Sequence, residues 1–402
     1  MRCYSFATRT VFMPFNMIES FLIILFAALF ITVIFRHLKI PIILGYVIVG
    51  ILVGPQVFGW LTNTAIIKDL AEFGVVLLMF TVGLEFSLRK LFSLRYAVFV
   101  LGGLQVIISI LLTMLIGMAY NMPTISALVI GCIVAMSSTA IVIKQLSDQA
   151  ELDTQHGRNA IGILLFQDLA VIPMLIFITS SMQPETHSIG TTLLLTLLKS
   201  VIAIALILAL GKWALRPLFQ MIAKTKTIEL FTLSVLFVAI GSAWLTHALD
   251  LSFALGAFLA GIMLAECEHK HQIKNEIRPF RDILLALFFI STGMLVNITT
   301  WAKSWFWILL LVIGLMLAKT LLIILLSKLS KYNWETSLKT GLILAQGGEF
   351  GFAILSLALA NHLLPTDWGQ SILAALMISF AFAPAIIRYN AALIKFLLLP
   401  PR

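Results

Sequence analysis

Residues 135–142 have the sequence AMSSTAIV, in which three hydroxyl side chains, Ser137 to Thr139, interrupt a long apolar segment. Residues 345–352, with the sequence AQGGEFGF, interrupt a second apolar segment in the same way. Backbone that leaves the helix inside a membrane is tolerated only where protein or a water-filled cavity satisfies its polar groups. Small and polar residues are also common where membrane helices pack together. Matching breaks in two segments nevertheless favour a pair of discontinuous, crossed helices.

The two breaks belong to a repeat whose copies lie about 210 residues apart. The segment GYVIVGILVGP (45–55) resembles GAFLAGIMLAE (256–266), and LLMFTVGLEF (77–86) resembles LFFISTGMLV (287–296). An offset that carries the chain across an odd number of membrane spans turns the second copy over. Inverted repeats with interrupted helices in matching positions are typical of secondary transporters, whose binding site lies near the middle of the membrane.

The composition places these segments in a membrane protein. Of the 402 residues, 61% are hydrophobic and 11% are charged, which is far outside the range of soluble globular proteins. Apolar runs long enough to span a bilayer, about 17–25 residues, have the approximate limits 17–35, 40–58, 65–85, 96–118, 123–145, 157–180, 189–213, 228–248, 250–266, 280–298, 303–327, 338–361 and 368–390. The sequence therefore predicts an all-α polytopic membrane protein with about 13 transmembrane helices.

Lysine and arginine are concentrated in alternate loops, and the other loops hold little beyond Lys68 and Lys303. The basic loops are expected to be cytoplasmic, with the N-terminus outside and the C-terminus inside a cell inner membrane. Arg2 and Arg9 conflict with this orientation, and a start at Met17 would remove the conflict. The net charge of +9 thus reflects topology, with the lipid bilayer as partner and no nucleic acid expected.

Asp168 lies near the middle of the predicted span at 157–180, within the sequence GILLFQDLAVIP (162–173). Ionisable residues inside membranes are costly and are functional candidates by default; the alternative is a structural aspartate paired with a basic residue. A buried carboxylate can hold either a proton or a metal cation, which is the minimum requirement for exchanging the two. Gln167, beside it, can supply a neutral oxygen, the ligand type that hard cations prefer.

Two more charged residues lie deep in predicted spans. Lys319 is expected to pair with Asp168 or with the end of a half-helix; the alternative is a lysine that reaches the membrane interface. Glu349 is expected either to neutralise a half-helix terminus or to form a structural ion pair. The facing half-helix ends are predicted at Ser137, Ser138 and Thr139 in the first break and at Gln346, Gly347 and Gly348 in the second.

Six segments of the chain resemble those of the monovalent cation:proton antiporter-2 family, in order over about residues 20–390. They are GLEFSLRKL, SSTAIVIKQL, LLFQDLAVIP, SFALGAFLAGIMLAE, FFISTGM and LAQGGEFGF. Within the family, the chain is most similar to the glutathione-gated potassium-efflux (Kef) branch, whose Gln-Asp pair distinguishes it from relatives with Asp-Asp or Asn-Asp.

The resemblance implies a Na⁺/H⁺ antiporter-like fold, in which residues 1–390 form the transmembrane domain of a homodimer. The dimerisation part would comprise about 17–85 and 228–298, and the ion-carrying core, which moves as an elevator, about 96–180 and 303–390.

The same resemblance assigns roles to the candidate residues. Asp168 would bind the cation and the proton beside Gln167, Lys319 would occupy the core lysine position, and the two breaks would form the broken helices. The Kef branch carries a cytoplasmic nucleotide-binding domain after the transport domain. Residues 391–402 are expected to form only a cytoplasmic tail, so a regulatory domain would be separate or truncated.

The expected function is exchange of K⁺ or Na⁺ for H⁺, without a cofactor and without enzymatic chemistry. An ion channel of the same fold, or a sensor that does not transport, is the alternative within membrane proteins. An intramembrane aspartyl protease would need two facing aspartates, and only Asp168 lies deep in a predicted span. K⁺ and Na⁺ remain open at this point, because the residue types do not distinguish them.

Overall fold

The structure is a computed structural model that describes residues 17–38, 41–61, 65–85, 92–180, 227–249, 253–265 and 270–398. These ranges contain helices and connecting loops but no strand. The α-helices, numbered among the described residues, are α1 Met17–Leu38, α2 Ile42–Val53, α3 Ala65–Glu85, α4 Gly103–Ala119, α5 Thr124–Ala135, α6 Thr139–Asp148, α7 Gln155–Ser180, α8 Ile228–His247, α9 Phe253–Ala265, α10 Lys270–Met294, α11 Ile298–Leu329, α12 Trp334–Ile343, α13 Glu349–Ala360, α14 Thr366–Arg388 and α15 Asn390–Leu398. A π-helical segment, Tyr96–Gly102, leads into α4.

The all-α membrane architecture predicted from the sequence is confirmed. Seven segments of the described chain are long and apolar enough to cross a membrane, and several shorter apolar helices accompany them. Every predicted span coincides with described helices except the one at 189–213, which lies outside the described residues, so the count of 13 stays a prediction. The predicted span at 280–298 overlaps the second half of α10, which starts at Lys270. The first turns of α10 are more polar and bury Ile273 and Ile277.

Both segments with polar breaks are interrupted, at residues 136–138 and 344–348, so Thr139 of the predicted first break lies in the helix that follows it. Helix α5 ends at Ala135 and α6 begins at Thr139, while α12 ends at Ile343 and α13 begins at Glu349. The two breaks touch each other, since a Cβ added at Gly348 would collide with the backbone of Ser137. Glycine is required there because the backbones approach too closely for any side chain.

Two glycine pairs display the repeat in three dimensions. Helix α2 packs against α10, and α3 packs against α9. A Cβ on Gly50 would lie 2.9 Å from the Cα of Gly293, and a Cβ on Gly261 would lie 2.9 Å from the Cα of Gly83. Gly50 matches Gly261 in the repeat, and Gly83 matches Gly293. The same close contact is therefore made twice, as two copies related by an approximate twofold axis require.

Substituting Gly50 by alanine is expected to destabilise the fold, because the new methyl group would overlap the α10 backbone at Ile290. Overpacking of this kind costs roughly 1–3 kcal/mol, so the melting temperature in detergent should fall by several degrees. The matched control is Gly314→Ala, where a Cβ meets nothing within 4 Å and alanine should slightly favour the helix. Equal melting temperatures for the two variants would contradict the close packing.

Candidate functional site

Asp168 lies on α7 beside the first residue of α6. Its side chain is buried, with 9% of the residue exposed. Thr139 Oγ1 donates to the carboxylate, at 3.1 Å from one oxygen and 3.3 Å from the other. Because Thr139 opens α6, the carboxylate faces the N-terminal end of a half-helix, where the helix dipole favours negative charge.

Gln167 points in a different direction from its neighbour. Its Oε1 accepts a hydrogen bond from the backbone N–H of Ser137 at 2.8 Å, and its Nε2 donates to Gln105 Oε1 at 2.8 Å. Adjacent residues on a helix point about 100° apart, so Gln167 enters the break while Asp168 faces Thr139. The Gln167 oxygen accepts from the backbone of the first break, and its service to a cation stays a prediction.

Gln105 on α4 is a site residue that the sequence analysis missed. It is completely buried, and its Nε2 donates to the carbonyl of Ala135 at 3.2 Å and to Ser109 Oγ at 3.1 Å. The signal was present as a lone amide within the apolar run LGGLQVIISI, residues 101–110. A buried amide needs partners, and those partners turn out to lie on the first break and on Gln167.

The two serines of the first break hold the backbone in place. Ser137 Oγ donates to the carbonyl of Leu344, in the second break, at 3.0 Å. Ser138 is the N-cap of α6, and its Oγ accepts from the N–H of Ile141 at 3.2 Å. Of the three hydroxyls predicted to form the site, that of Thr139 donates to Asp168, while those of Ser137 and Ser138 bond backbone groups that the break exposes.

Lys319 joins the two breaks. Its ammonium, on α11, donates to the carbonyls of Met136 at 2.6 Å and Gln346 at 2.9 Å, and to Ser137 Oγ at 2.9 Å. An ammonium has three donors, and all three are used. Lys319 was predicted to pair with Asp168 or with the end of a half-helix, and these three bonds go to the half-helix ends. Met136 and Gln346 are equivalent in the repeat, so one lysine serves the same carbonyl in both copies.

Glu349 opens α13 and also reaches α6. It is 7% exposed, and its Oε1 accepts from the N–H of Ala140 at 3.3 Å. Its Oε2 has no hydrogen-bond partner among the described residues. The carboxylate thus lies at the N-terminal ends of two half-helices, as expected for a group that neutralises a helix terminus. In the same break, the N–H of Gly347 donates to Ser379 Oγ at 3.2 Å.

Two carboxylates therefore contact the first turn of α6. Asp168 accepts a hydrogen bond from Thr139, and Glu349 accepts one from Ala140. Among the described residues, the Lys319 ammonium lies at the same crossing. A buried carboxylate is costly unless its charge is compensated, so a carboxylate placed like Asp168 can be neutralised by either a proton or a cation.

Comparison with known proteins shows the family of the chain. Residues 22–389 match the family model described as "Sodium/hydrogen exchanger, transmembrane". The chain belongs to the sodium/hydrogen exchanger family.

Proteins named as potassium antiporters are among the relatives of this exchanger-family chain. It is 42% identical over 330 residues to a protein of Alkalimonas amylolytica named as a K(+) efflux antiporter, KefB, an alignment that covers 82% of this chain and 50% of that protein. It is 34% identical over 334 residues to the glutathione-regulated potassium-efflux system protein KefC of Escherichia coli K12, covering 81% and 53%. The chain thus spans about half the length of these relatives. The resemblance to the Kef branch of the cation:proton antiporters is confirmed.

Solved structures show the same fold. The sodium proton antiporter MjNhaP1 of Methanocaldococcus jannaschii superposes with a TM-score of 0.69 at 15% sequence identity, over 95% of this chain and 98% of that structure. The Na⁺/H⁺ antiporter-like fold predicted for this exchanger-family chain is therefore confirmed.

Proposed function

We propose that this member of the sodium/hydrogen exchanger family is an antiporter that exchanges a monovalent cation, K⁺ or Na⁺, for a proton at Asp168. The observation that carries the proposal is a buried carboxylate hydrogen-bonded to Thr139 at the end of a broken helix. Cation and proton would compete for this carboxylate, because either one neutralises its single negative charge. Competition at one site, reached alternately from the two sides, is sufficient for exchange.

K⁺ is the proposed cation, since relatives that cover most of this chain are named as potassium efflux proteins. Na⁺ is the alternative. Thr139 would help to complete the cation's shell with oxygen, the atom that hard cations prefer. Gln167 is assigned to the framework of the site, because its contacts lie on the first break and on Gln105.

The transport step is proposed to be a rigid movement of the core against the dimerisation part. Within the dimerisation part, the glycine pairs bring α2 into close contact with α10 and α3 into close contact with α9. Within the core, Lys319 and the hydroxyls form hydrogen bonds that join the two breaks. Each part would therefore move as a unit. We further propose a homodimer in a cell inner membrane, with the N-terminus outside and the C-terminus in the cytoplasm.

The test is proton movement in proteoliposomes that contain a pH-sensitive dye, with K⁺, Na⁺, Li⁺ or choline added in turn. Antiport predicts a saturable, cation-evoked proton flux that reverses when the pH gradient is reversed, with K⁺ most effective and choline inactive. A channel would instead pass the cation without obligatory proton movement. The order of the cations decides between K⁺ and Na⁺, and the absence of any cation-evoked proton flux would refute the proposal.

The Thr139→Val variant is expected to weaken cation binding about tenfold. Valine has nearly the same shape but lacks the hydroxyl oxygen that would complete the cation's shell, and a tenfold loss corresponds to about 1.4 kcal/mol. The measurement is the cation concentration that gives half-maximal proton flux. Thr139→Ser keeps the hydroxyl and is the control, expected to remain within about threefold of wild type. Unchanged affinity in the valine variant would show that the hydroxyl has no part in the site.

A further inference from the structure

The first break loses helical hydrogen bonds, and two glutamine side chains replace them. Gln105 Nε2 donates to the carbonyl of Ala135, and Gln167 Oε1 accepts from the N–H of Ser137. Between them, Gln167 Nε2 donates to Gln105 Oε1 at 2.8 Å. The path therefore starts and ends on backbone groups of the same break, one on each side of Met136. We call this path the glutamine relay.

The direction of every bond in the relay is determined by its two ends. The Ala135 carbonyl can only accept a hydrogen bond, and the Ser137 N–H can only donate one. Each side chain between them must accept on one side and donate on the other, which a neutral amide does and a carboxylate does not. The amide orientations of Gln105 and Gln167 follow from this polarity, without reference to the placement of their nitrogen and oxygen atoms.

The relay is well placed to control the site. Gln167 directly precedes Asp168 on α7, and Ser137 lies two residues before Thr139. The relay therefore connects the two segments whose side chains form the Thr139–Asp168 hydrogen bond. Gln105 is 0% exposed and Gln167 is 1% exposed. Water therefore has little access to replace either amide, and loss of one partner leaves the others unsatisfied in a dry environment.

We propose that Gln105 is a positioning residue for the cation site, acting through Gln167 to hold the first break where Thr139 contacts Asp168. The proposal deepens the proposed function and rests on it for its transport readout. Removing the Gln105 amide should weaken cation binding about tenfold, which corresponds to about 1.4 kcal/mol, with a smaller change in the maximal rate.

The variants for the test are Gln105→Met, Gln167→Met and the double substitution, because methionine has a similar length and no amide. Cation affinity is measured in two ways, as the half-maximal concentration in the flux assay and as the cation-dependent rise in melting temperature. Both single variants should lose affinity, and the double variant should be about as weak as Gln167→Met alone, since either change breaks the same relay. Additive losses, or wild-type affinity in Gln105→Met, would overturn the proposal.

Two controls separate positioning from general stability. Ser109→Ala removes the other acceptor of Gln105 Nε2 but leaves the relay intact, so its affinity should equal that of wild type. Relative to wild type at the same pH, the affinity of Gln105→Glu should recover as the pH falls, because a protonated carboxyl can again donate to Ala135, whereas the ratio for Gln105→Met should not depend on pH in this way. A defect with the same pH dependence in both variants would count against the relay.

Hydrogen exchange decides the structural part of the proposal even if no transport is detected. The amides of residues 136–141 should exchange faster in Gln105→Met than in wild type or Ser109→Ala. Failure of the proposed function would appear as an absence of cation-evoked proton flux in wild type, with this difference in exchange still present. Unchanged exchange in Gln105→Met would refute the relay itself.

Discussion

Replacing Asp168 by asparagine is expected to reduce cation-evoked proton movement to the level of protein-free liposomes. Asparagine keeps the size of the side chain and can still accept the hydrogen bond from Thr139, but it carries neither a titratable proton nor a negative charge. Both transported species would lose their binding group in one substitution. The measurement is dye-reported proton flux with saturating K⁺ and, separately, with saturating Na⁺.

The control for this variant is Asp367→Asn, an exposed aspartate in the first turn of α14, which should transport like wild type. Melting temperatures of both variants show whether the fold is intact. Full flux in a folded Asp168→Asn variant would mean that the carboxylate is structural and that protons cross elsewhere.

The burial of the site explains why the loss should be complete. Without Asp168, a cation beside Thr139 would lose the carboxylate that compensates its charge, and an uncompensated charge in a buried place is costly. Glu349 is expected to remain where it is, because the N-terminal ends of α6 and α13 both favour a negative charge at that place.

The breaks and the repeat could be predicted from the sequence because their signals are local and strong. Hydroxyls and glycines stand out within long apolar runs, and a common offset links the first copy to the second. Gly50 and Gly293 show how this works: the sequence marked similar segments around them, and the structure shows that they meet each other across the repeat. Residue types determine where small side chains occur, which is what close helix packing needs.

The partners of individual side chains could not be predicted, because they depend on how each helix is rotated about its axis. Gln167 and Asp168 are adjacent in sequence, yet one enters the first break and the other faces Thr139. Gln105 lies 62 residues from Gln167, and nothing local connects them. For Lys319 the sequence left two partners open, and only the three-dimensional arrangement places its hydrogen bonds on both half-helix ends.

Replacing Lys319 by methionine is expected to have the second-largest effect, on stability as well as on transport. The substitution keeps the length of the side chain but removes three donors from three buried acceptors, the carbonyls of Met136 and Gln346 and the hydroxyl of Ser137. Each unsatisfied buried acceptor costs about 1–3 kcal/mol. The melting temperature should therefore fall well below that of wild type, and the proton flux should fall more than tenfold.

Lys303→Met is the matched control, since it makes the same change on the same helix at an exposed position; its stability and flux should be close to those of wild type. Lys319→Arg tests whether charge alone is sufficient. A guanidinium is a planar fork whose geometry differs from that of an ammonium, so it should not satisfy all three acceptors and should restore stability only in part. If Lys319→Met melted at the same temperature as Lys303→Met, the lysine would not be what holds the two half-helix ends together. The closeness of the breaks would then rest on Gly348 and on the Ser137–Leu344 and Ala140–Glu349 hydrogen bonds.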